Sequence, residues 1–354
     1  MTTVQPNSTL AFAMQQRYRD NFARHILSIT LYLQSEIMNA LTLRHGHSQL
    51  RINFEPYIAI AGEKGARLSD IAQMLGISRQ AANQAANQIE DAGYLMRTPD
   101  PSDGRAKLLT PTPRTKALLK QGVREAQRLQ QQLAGFVGDS ELQQTTASVA
   151  KLDKALGLLL PFEQLDTSPL AGLLPRLSDY ITNRLLELTM SRGHAGLKRS
   201  FSAVLTSIGP SGGRIQQMAN AQDVSKQAIS ATVSELEDLQ YITRRPDPED
   251  ARQVVLMFTE RGKALIADSI AAVDDLETEF CEHLCTARIE QIKDVMARIY
   301  RSLHLEEDIF GHADSNDIDV LARQLTRKLG DEGAKALARL ILSAETDKGQ
   351  EQAP

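Results

Sequence analysis

The side chains of this 354-residue chain that could do chemistry are polar groups suited to hydrogen bonding rather than to catalysis. No Ser, His and Asp set and no carboxylate pair repeats with catalytic spacing, and no glycine-rich phosphate loop is present. Short amides, hydroxyls and arginines instead occur in two sets, and such groups suit the base edges and phosphates of nucleic acid. The first set is Ser78, Arg79, Gln80, Asn83, Gln84, Asn87, Arg97, Asp103 and Arg105; the second is Ser225, Lys226, Gln227, Ser230, Ser234, Arg244, Arg245, Asp250 and Arg252.

The two sets belong to an internal repeat with an offset of 147 residues. The segment Thr98–Arg105 (TPDPSDGR) recurs as Arg245–Arg252 (RPDPEDAR). From residue 46 to residue 118, 26 of 73 positions are identical to their partners without a gap. The matches include rare pairs such as Gly-His, so compositional bias is not their cause. A period of this length predicts two copies of one compact domain rather than a short solenoid repeat.

Length and composition agree with two globular domains. At about 100–200 residues per domain, the chain is long enough for two, and 42% hydrophobic residues can form cores. Two cysteines cannot build a disulfide framework. The start of the chain lacks a secretory pattern, and no window approaches 18 apolar residues. We therefore expect a cytoplasmic protein without a membrane segment.

Linker composition and charge divide the chain further. Pro161–Pro175 carries three prolines and a glycine and is typical of a linker. The predicted domains are residues 1–164 and 165–304, followed by an acidic extension over 305–354. In the extension we expect helices at Ile318–Leu329 and Glu332–Ala344 and a disordered end. Residues 1–165 have 18 basic and 14 acidic side chains, residues 166–304 have 16 and 19, and the extension has 6 and 11. The net charge of −4 therefore conceals a basic first repeat.

Apolar residues at helical spacing, together with capping residues, predict the long helices of each repeat. In each repeat we expect a long first helix, a second helix that ends at a glycine, and two closing amphipathic helices. These spans are Ser8–Leu43, Leu50–Ala61, Arg114–Phe136 and Ser140–Leu160 in the first repeat, and Leu174–Met190, Leu197–Ile208, Glu260–Leu284 and Thr286–Leu303 in the second.

A helix-turn-helix and a β-hairpin are predicted between these helices. Leu68–Leu75 has the pattern of a short helix, Gly76 makes a turn, and Ser78 caps a second helix that runs to about residue 91. Tyr94–Thr98 and Arg105–Thr110 have strand character and flank a turn-rich tip, so they predict a wing. The predicted fold class is mainly α with small β-wings, arranged as two tandem winged helix-turn-helix domains.

Each repeat resembles a winged-helix regulator of the MarR family. Members show a Ser-capped recognition helix, then Leu-Glu-x-x-Gly-hydrophobic-x-Arg, then Asp-x-x-Asp-x-Arg and Thr. The matching residues are Ser78, Ile89, Glu90, Gly93, Tyr94, Arg97, Asp100, Asp103, Arg105 and Thr112 in the first repeat, and Ser225, Leu236, Glu237, Tyr241, Arg244, Asp247, Asp250, Arg252, Thr259 and Gly262 in the second. The departures are Gln240 in place of a glycine, Asp223 at the position of Gly76, and Thr115 at the position of Gly262. The resemblance covers most of residues 20–304.

The resemblance implies a regulator that binds a double-stranded DNA operator and is not an enzyme. Family members are homodimers whose first and last helices form the interface, so two repeats on one chain imply a monomeric chain that acts as an intramolecular pseudo-dimer. The recognition helices would enter successive major grooves, the wings would reach minor grooves, and the protein would act as a repressor. A small aromatic effector would release the DNA. No cofactor and no metal are expected.

The polar face of the recognition helix has two interpretations. Asn and Gln read adenine edges and Arg or Lys read guanine, and the small residues Ala81, Ala82, Ala85 and Ala86 would permit close approach. Alternatively, the face is simply solvated. The two helices differ at almost every groove-facing position, so we expect the halves to contribute unequally and the operator to be an imperfect palindrome.

The wing arginines also have alternatives. Arg105 and Arg252 suit a narrow minor groove, and Asp103 and Asp250 would orient them or would only hold the hairpin together. The other arginines of the two sets, Arg97, Arg244 and Arg245, would contact phosphate or support the fold.

Cysteines and histidines give weaker signals. Cys281 and Cys285 are four apart, on one face of a predicted helix with His283 between them, and form either a thiol switch or two small buried thiols. Metal binding is disfavoured because His283 points away from that face and a fourth ligand is missing. His47 and His194 occupy equivalent positions before the second helices, where they are either turn features or part of an effector cleft.

A second class of function stays open at this point. The chain could be a winged-helix interaction module, or an antagonist with weak or no DNA binding, whose acidic second half and extension contact a protein. An enzyme has no motif in its favour.

Overall fold

A computed structural model of the chain describes residues 16–62, 64–158, 168–209, 212–222, 225–247 and 254–306, together with 322, 325, 326, 333–335 and 337–340. The expected cap Ser8, the departure Asp223, the wing residues Asp250 and Arg252, residues 161–167 of the linker and most of the extension lie outside these residues. The few described residues of the extension are helical. Within the described part of the chain, no helix has the length and apolarity that crossing a membrane requires.

Apart from one short strand that the second repeat lacks among its described residues, both repeats have the same order of helices and strands. The first forms α1 (Phe22–Asn39), α2 (Glu55–Ala61), β1 (Ala66–Arg67), α3 (Leu68–Met74), α4 (Arg79–Asp91), β2 (Leu95–Asp100), β3 (Asp103–Pro111), α5 (Pro113–Val137) and α6 (Asp139–Ala155). The second forms α7 (Leu170–Ser191), α8 (Phe201–Ser207), α9 (Ile215–Gln222), α10 (Lys226–Asp238), β4 (Ile242–Pro246), β5 (Val254–Phe258), α11 (Glu260–His283) and α12 (Thr286–Ser302). The prediction of two tandem, mainly helical units with small β-wings is confirmed.

The first helix departs from the predicted continuous span Ser8–Leu43. The chain bends at residues 20 and 21, and Asn21 Oδ1 accepts a hydrogen bond from the backbone N–H of Arg24 at 3.0 Å. Asparagine is a favourable N-cap, so α1 begins at Phe22. At the other end α1 passes into a π-helical turn, Ala40–Arg44.

Three other predicted boundaries are wrong. The second helices begin later than Leu50 and Leu197, because in the first repeat a 3₁₀ turn, Ile52–Phe54, precedes α2, and in the second turns precede α8. Pro175, expected in the linker, lies inside α7, where it removes one backbone hydrogen bond without ending the helix.

The wings are antiparallel hairpins, and the first has a strand that the sequence did not predict. β2 pairs with β3, with Leu95 opposite Pro111, and β1 pairs with the other edge of β3. In the second repeat β4 pairs with β5, with Ile242 opposite Phe258. The equivalent of β1 is reduced to a bridge between residues 213 and 256. The short strand β1 connects the helix-turn-helix to the wing.

Each winged unit has its own apolar core. In the first, Ile71, Ile89 and Tyr94 are at the centre, and in the second Val233, Leu236 and Tyr241 are. By their contacts, the described residues of Tyr32–Gln131 form one compact unit, and those of Met1–Leu31, Gln132–Leu159 and Gln164–Asp317 form another. The outer parts of the first repeat's long helices therefore lie in the same compact unit as the second repeat.

Candidate nucleic-acid interface

The helix α4 presents the polar face that the sequence predicts. Ser78 is its N-cap, and the Ser78 Oγ accepts a hydrogen bond from the Ala81 backbone N–H at 3.1 Å, which satisfies one of the free donors at the helix start. One side of the helix buries Ala82, Ala86 and Ile89. The exposed residues on the other side are Ser78, Arg79, Gln80, Asn83, Gln84 and Asn87.

The helix α10 repeats this arrangement with different side chains. Ser225 caps it, accepting a hydrogen bond from the Ala228 backbone N–H at 3.1 Å. Ile229, Val233 and Leu236 face the core. Ser225, Lys226, Gln227 and Ser234 are exposed, and Ser230 is half-buried.

The expectation that four alanines line the polar face is wrong for two of them. Ala82 and Ala86 are 0% exposed and, with Ile89, form an apolar stripe at the i, i+4, i+7 spacing of a core-facing helix. Ala81 is exposed and Ala85 is partly buried. Ala82 and Ala86 therefore fill the core beneath the helix and do not permit close approach of DNA to its exposed face.

Arg97 reaches back from β2 to α4. Its guanidinium forms an ion pair with Glu90, and its Nη2 donates to Asn83 Oδ1 at 3.0 Å and to Asn87 Oδ1 at 2.7 Å. The backbone N–H of Arg97 also donates to Glu90 Oε1 at 3.0 Å. Arg97 thus holds the wing against α4 and contacts two amides on its exposed face.

Arg244 makes the equivalent contacts in the second repeat. Its Nη1 donates to Glu237 Oε2 at 2.7 Å, and its Nη2 donates to Ser234 Oγ at 3.3 Å. The neighbouring Arg245 is exposed. At the 147-residue offset, Ser230 and Ser234 of α10 occupy the positions of Asn83 and Asn87 of α4.

An ion pair at the base of each wing was missed by the sequence reasoning. Asp100 and Asp247 are 6% and 3% exposed. Arg67 Nε donates to Asp100 Oδ2 at 2.6 Å, and Arg214 donates from Nε to Asp247 Oδ2 at 2.6 Å and from Nη2 to Asp247 Oδ1 at 3.2 Å. Arg67 and Arg214 are identical at the 147-residue offset, which is the signal that could have identified them.

The hydrogen bonds at Asp100 favour its charged form. The hydroxyl and the backbone N–H of Ser102 both donate to Asp100 Oδ1, at 2.7 Å and 2.8 Å. These bonds, with the charge and hydrogen bond of Arg67, lower the pKa of Asp100 to about 2. Nearer the tip, Asp103 Oδ1 accepts from the Arg105 backbone N–H at 3.1 Å, while the Arg105 side chain is exposed.

The two histidines proposed for an effector cleft are buried at equivalent positions. His47 and His194 are each 5% exposed. His47 Nε2 forms a hydrogen bond with Gln121 Oε1 at 2.6 Å, and His194 Nε2 forms one with Asp268 Oδ2 at 2.8 Å. Each ring also packs near the tyrosine of its own core, Tyr94 or Tyr241. Each histidine thus connects the turn that precedes the second helix to the long helix after the wing, which is α5 for His47 and α11 for His194.

The prediction that the cysteines share one helix face is wrong. α11 ends at His283, Leu284 has an extended backbone, and Cys285 is the N-cap residue of α12. Cys281 is partly buried and Cys285 is exposed, so they are not two buried thiols. Among the described residues, no group of three His, Cys, Asp or Glu side chains could hold a metal ion.

A cavity of about 500 Å³ lies between residues 17–25 and the helices α11 and α12. Charged side chains dominate its lining: Arg17, Asp20, Asp274, Glu277, Glu290, Lys293, Asp294 and Arg301. Neither His47 nor His194 lines it. Such a lining suits a charged ligand better than an apolar aromatic one.

Two winged helix-turn-helix units, each with an exposed polar helix capped by serine, define a DNA-binding regulator in the general sense. The MarR family model matches the chain twice, over residues 57–106 and 195–253. The two matched segments lie at equivalent places in the two repeats, so the chain is similar to the MarR family twice, in tandem.

Comparison with curated proteins gave no match. Among solved structures, the transcriptional regulator Tm0710 from Thermotoga maritima is 19% identical, covers 38% of this chain and 92% of its own, and has a TM-score of 0.31. The YusO protein from Bacillus subtilis is 20% identical, with coverages of 36% and 90% and a TM-score of 0.30. A MarR-family transcriptional regulator from Rhodococcus sp. RHA1 is 23% identical, with coverages of 38% and 97% and a TM-score of 0.28.

Proposed function

We propose that the chain is a sequence-specific double-stranded DNA-binding repressor whose two repeats form one DNA-binding unit. The observation that carries this proposal is the exposure, in both repeats, of a serine-capped helix with a polar outer face next to a β-hairpin. α4 and α10 would enter successive major grooves, where amides, hydroxyls and cations meet base edges. The wing arginines Arg105 and Arg252 would enter the flanking minor grooves, and occupancy would block a promoter.

Contacts between helices of the two repeats support the pseudo-dimer. α6 of the first repeat packs against α7 and α12 of the second. The amide of Gln291 donates to Gln144 Oε1 at 3.3 Å, and these residues are counterparts at the 147-residue offset. A residue that meets its own counterpart lies close to a twofold axis. The helix pairing is therefore of the kind that joins two subunits in a symmetric dimer.

Ion pairs reinforce the same helix contacts. Arg298 donates to both carboxylate oxygens of Glu141 at 2.9 Å and to the Val137 backbone oxygen at 3.0 Å. Arg17 pairs with Asp274 at 2.7 Å. Release by a small effector belongs to the proposal as well, and the charged cavity has a volume in the usual range for ligand sites, about 300–1,000 Å³.

A gel shift with duplex DNA from upstream of the chain's own coding sequence tests DNA binding. Binding should weaken steeply as salt rises, because a DNA-binding protein displaces counterions from phosphates. Gln80→Ala with Gln84→Ala should leave the fold intact, since both side chains are exposed, and should weaken specific binding by about 1–3 kcal/mol per lost base contact. Absence of any duplex binding at low salt would refute the proposal and favour a protein-binding antagonist.

Light scattering tests the pseudo-dimer. Without DNA, we expect a particle of 39.0 kDa, the mass of one chain. With DNA, we expect one chain bound to each operator. Two chains per operator would mean that each chain supplies only one DNA-reading half.

A further inference from the structure

Arg97 fixes the orientation of two amide side chains on the recognition helix of the first repeat. Its Nη2 lies 3.0 Å from Asn83 Oδ1 and 2.7 Å from Asn87 Oδ1, while its Nη1 pairs with Glu90. Asn83 and Asn87 are one helical turn apart, so a single guanidinium nitrogen bridges them. The ion pair with Glu90 holds the guanidinium in place beneath the two amides.

The chemistry of the guanidinium decides which end of each amide faces outward. A guanidinium has five N–H donors and no acceptor, so the amide atom that faces it must be the carbonyl oxygen. The NH₂ group of each amide then points away from Arg97. Since both asparagines are exposed, their outward groups are hydrogen-bond donors.

We infer that Asn83 and Asn87 read hydrogen-bond acceptors in the major groove, namely guanine O6 and N7 and thymine O4, in preference to the paired donor and acceptor of adenine. This inference rests on the proposed DNA-binding function and specifies its chemistry. Bidentate recognition of adenine needs the asparagine oxygen to accept from the adenine N6 amino group, but Arg97 takes one of the two acceptor sites of that oxygen and turns the oxygen toward the wing. Arg97 acts through the two amides and is therefore a positioning residue.

The second repeat lacks this device. Arg244 Nη2 donates to Ser234 Oγ at 3.3 Å, and Ser234 Oγ donates its proton to the Ser230 backbone oxygen at 3.1 Å. A hydroxyl has a single proton, so Ser234 offers no donor to a base. The pair of amide donors oriented by an arginine is therefore a feature of the first repeat.

Selection of bound sequences from a random duplex library, using the full chain, tests the inference. Asn83→Asp is the decisive variant, because a carboxylate still accepts from Arg97 but turns the outward donor into an acceptor. It should bind the wild-type consensus at least about tenfold more weakly and should change the preferred base at one position toward cytosine, whose N4 amino group is a donor. Asn87→Asp should make the same change at a different position.

Three further variants separate positioning from charge and fold. Ser234→Asp adds the same negative charge to the other recognition helix, so it should lower affinity without changing the bases preferred by the first half-site. Arg97→Lys keeps a cation beside Glu90 but offers one nitrogen in place of a planar fork. Arg97→Lys should broaden the base preference at the two asparagine positions so that adenine is also accepted. Its affinity for random duplex at low salt should stay within about threefold of wild type. Arg244→Lys should not change the base preference at these two positions.

The outcomes distinguish this inference from the function on which it rests. If the wild-type chain binds no duplex at low salt, the proposed function fails and the inference fails with it. If the wild type selects a sequence but Asn83→Asp only weakens every sequence equally, or if adenine is preferred at the positions that respond to these variants, DNA binding stands and the inference is overturned. Far-UV circular dichroism equal to wild type shows that each variant is folded.

Discussion

Removal of Arg214 should destabilise the second winged unit more than its surface position suggests. The side chain of Arg214 is 24% exposed, but that of its partner Asp247 is only 2% exposed, and both carboxylate oxygens accept from the guanidinium. Arg214→Met retains the apolar stem and removes only the charged fork. The carboxylate of Asp247 would then remain buried without its cation.

The magnitude follows from this geometry. Loss of one partner of a buried ion pair costs about 3–5 kcal/mol, and the partial exposure of Arg214 places the expected loss near the lower limit, about 3 kcal/mol. Asp247→Asn leaves no buried charge and allows Arg214 to reach water, so its cost should be about 1 kcal/mol, close to that of one hydrogen bond. The double variant should lose less than the sum of the two, with a coupling of about 2 kcal/mol.

Urea unfolding followed by far-UV circular dichroism measures these losses, since the chain has no tryptophan. Arg67→Met is the matched variant in the first repeat. It should cost less, because Ser102 continues to donate two hydrogen bonds to Asp100. Two results would show that the pair does not hold the wing. One is a loss of unfolding free energy below about 1 kcal/mol in Arg214→Met. The other is a loss in the double variant equal to the sum of the losses in the two single variants.

Three other predictions concern acid and two glycines. The folded-state pKa of Asp100, lowered to about 2 chiefly by the Ser102 hydrogen bonds, lies below the value of about 3.9 in an unfolded chain. The stabilisation is therefore present above about pH 4 and is lost as the pH falls toward 2, and Asp100→Asn should flatten an acid titration in that window. Gly262→Ala should lower stability by about 1–3 kcal/mol in thermal melts, because a Cβ there would lie 2.0 Å from the Tyr241 backbone oxygen. Gly122→Ala, whose Cβ would meet nothing within 4 Å, should instead stabilise α5 by about 1 kcal/mol.

Local signals predicted the recognition helices well. Ser78 and Gly93 are 15 positions apart and mark the two ends of one element, and the helix Arg79–Asp91 lies between them. Gly93 has the left-handed φ of +76° that favours glycine. In the second repeat Gln240 takes a φ of +61° at the same place, so the turn is kept although the residue type departs from the family pattern.

Long-range pairings were beyond the reach of the pattern. Arg67 and Asp100 are 33 residues apart, and charged residues in a sequence are expected at the surface. Only the pairing of β1 with β3 brings Arg67 to the base of the wing. The burial of Ala82 had a local signal, since it lies seven residues before Ile89, but small residues on a polar helix do not reveal which side meets the core.

Thr115 and Gly262 show how equivalent positions can keep one fold with different chemistry. The Thr115 hydroxyl donates to the Tyr94 backbone oxygen, whereas no Cβ fits beside the equivalent oxygen of Tyr241. The long helix of the second repeat therefore approaches this backbone oxygen more closely than any side chain at position 262 would permit. The sequence shows the exchange, but the direction of the shift depends on the packing around it.

Covalent linkage explains why the two halves can differ in this way. In a homodimer every substitution occurs twice. Here the ion pair of Arg298 with Glu141 occurs once. The counterpart positions at the 147-residue offset are Lys151 and Arg288, which carry like charges. Such an interface suits pairing of the first repeat with the second and opposes pairing of two second repeats. Because the linker supplies a high effective concentration, the interface need not be symmetric, and neither must the helices that it carries. The amides of α4 and the hydroxyls of α10 show the same asymmetry on the exposed helix faces. If these faces bind DNA as proposed, an operator with two unlike half-sites is the expected match.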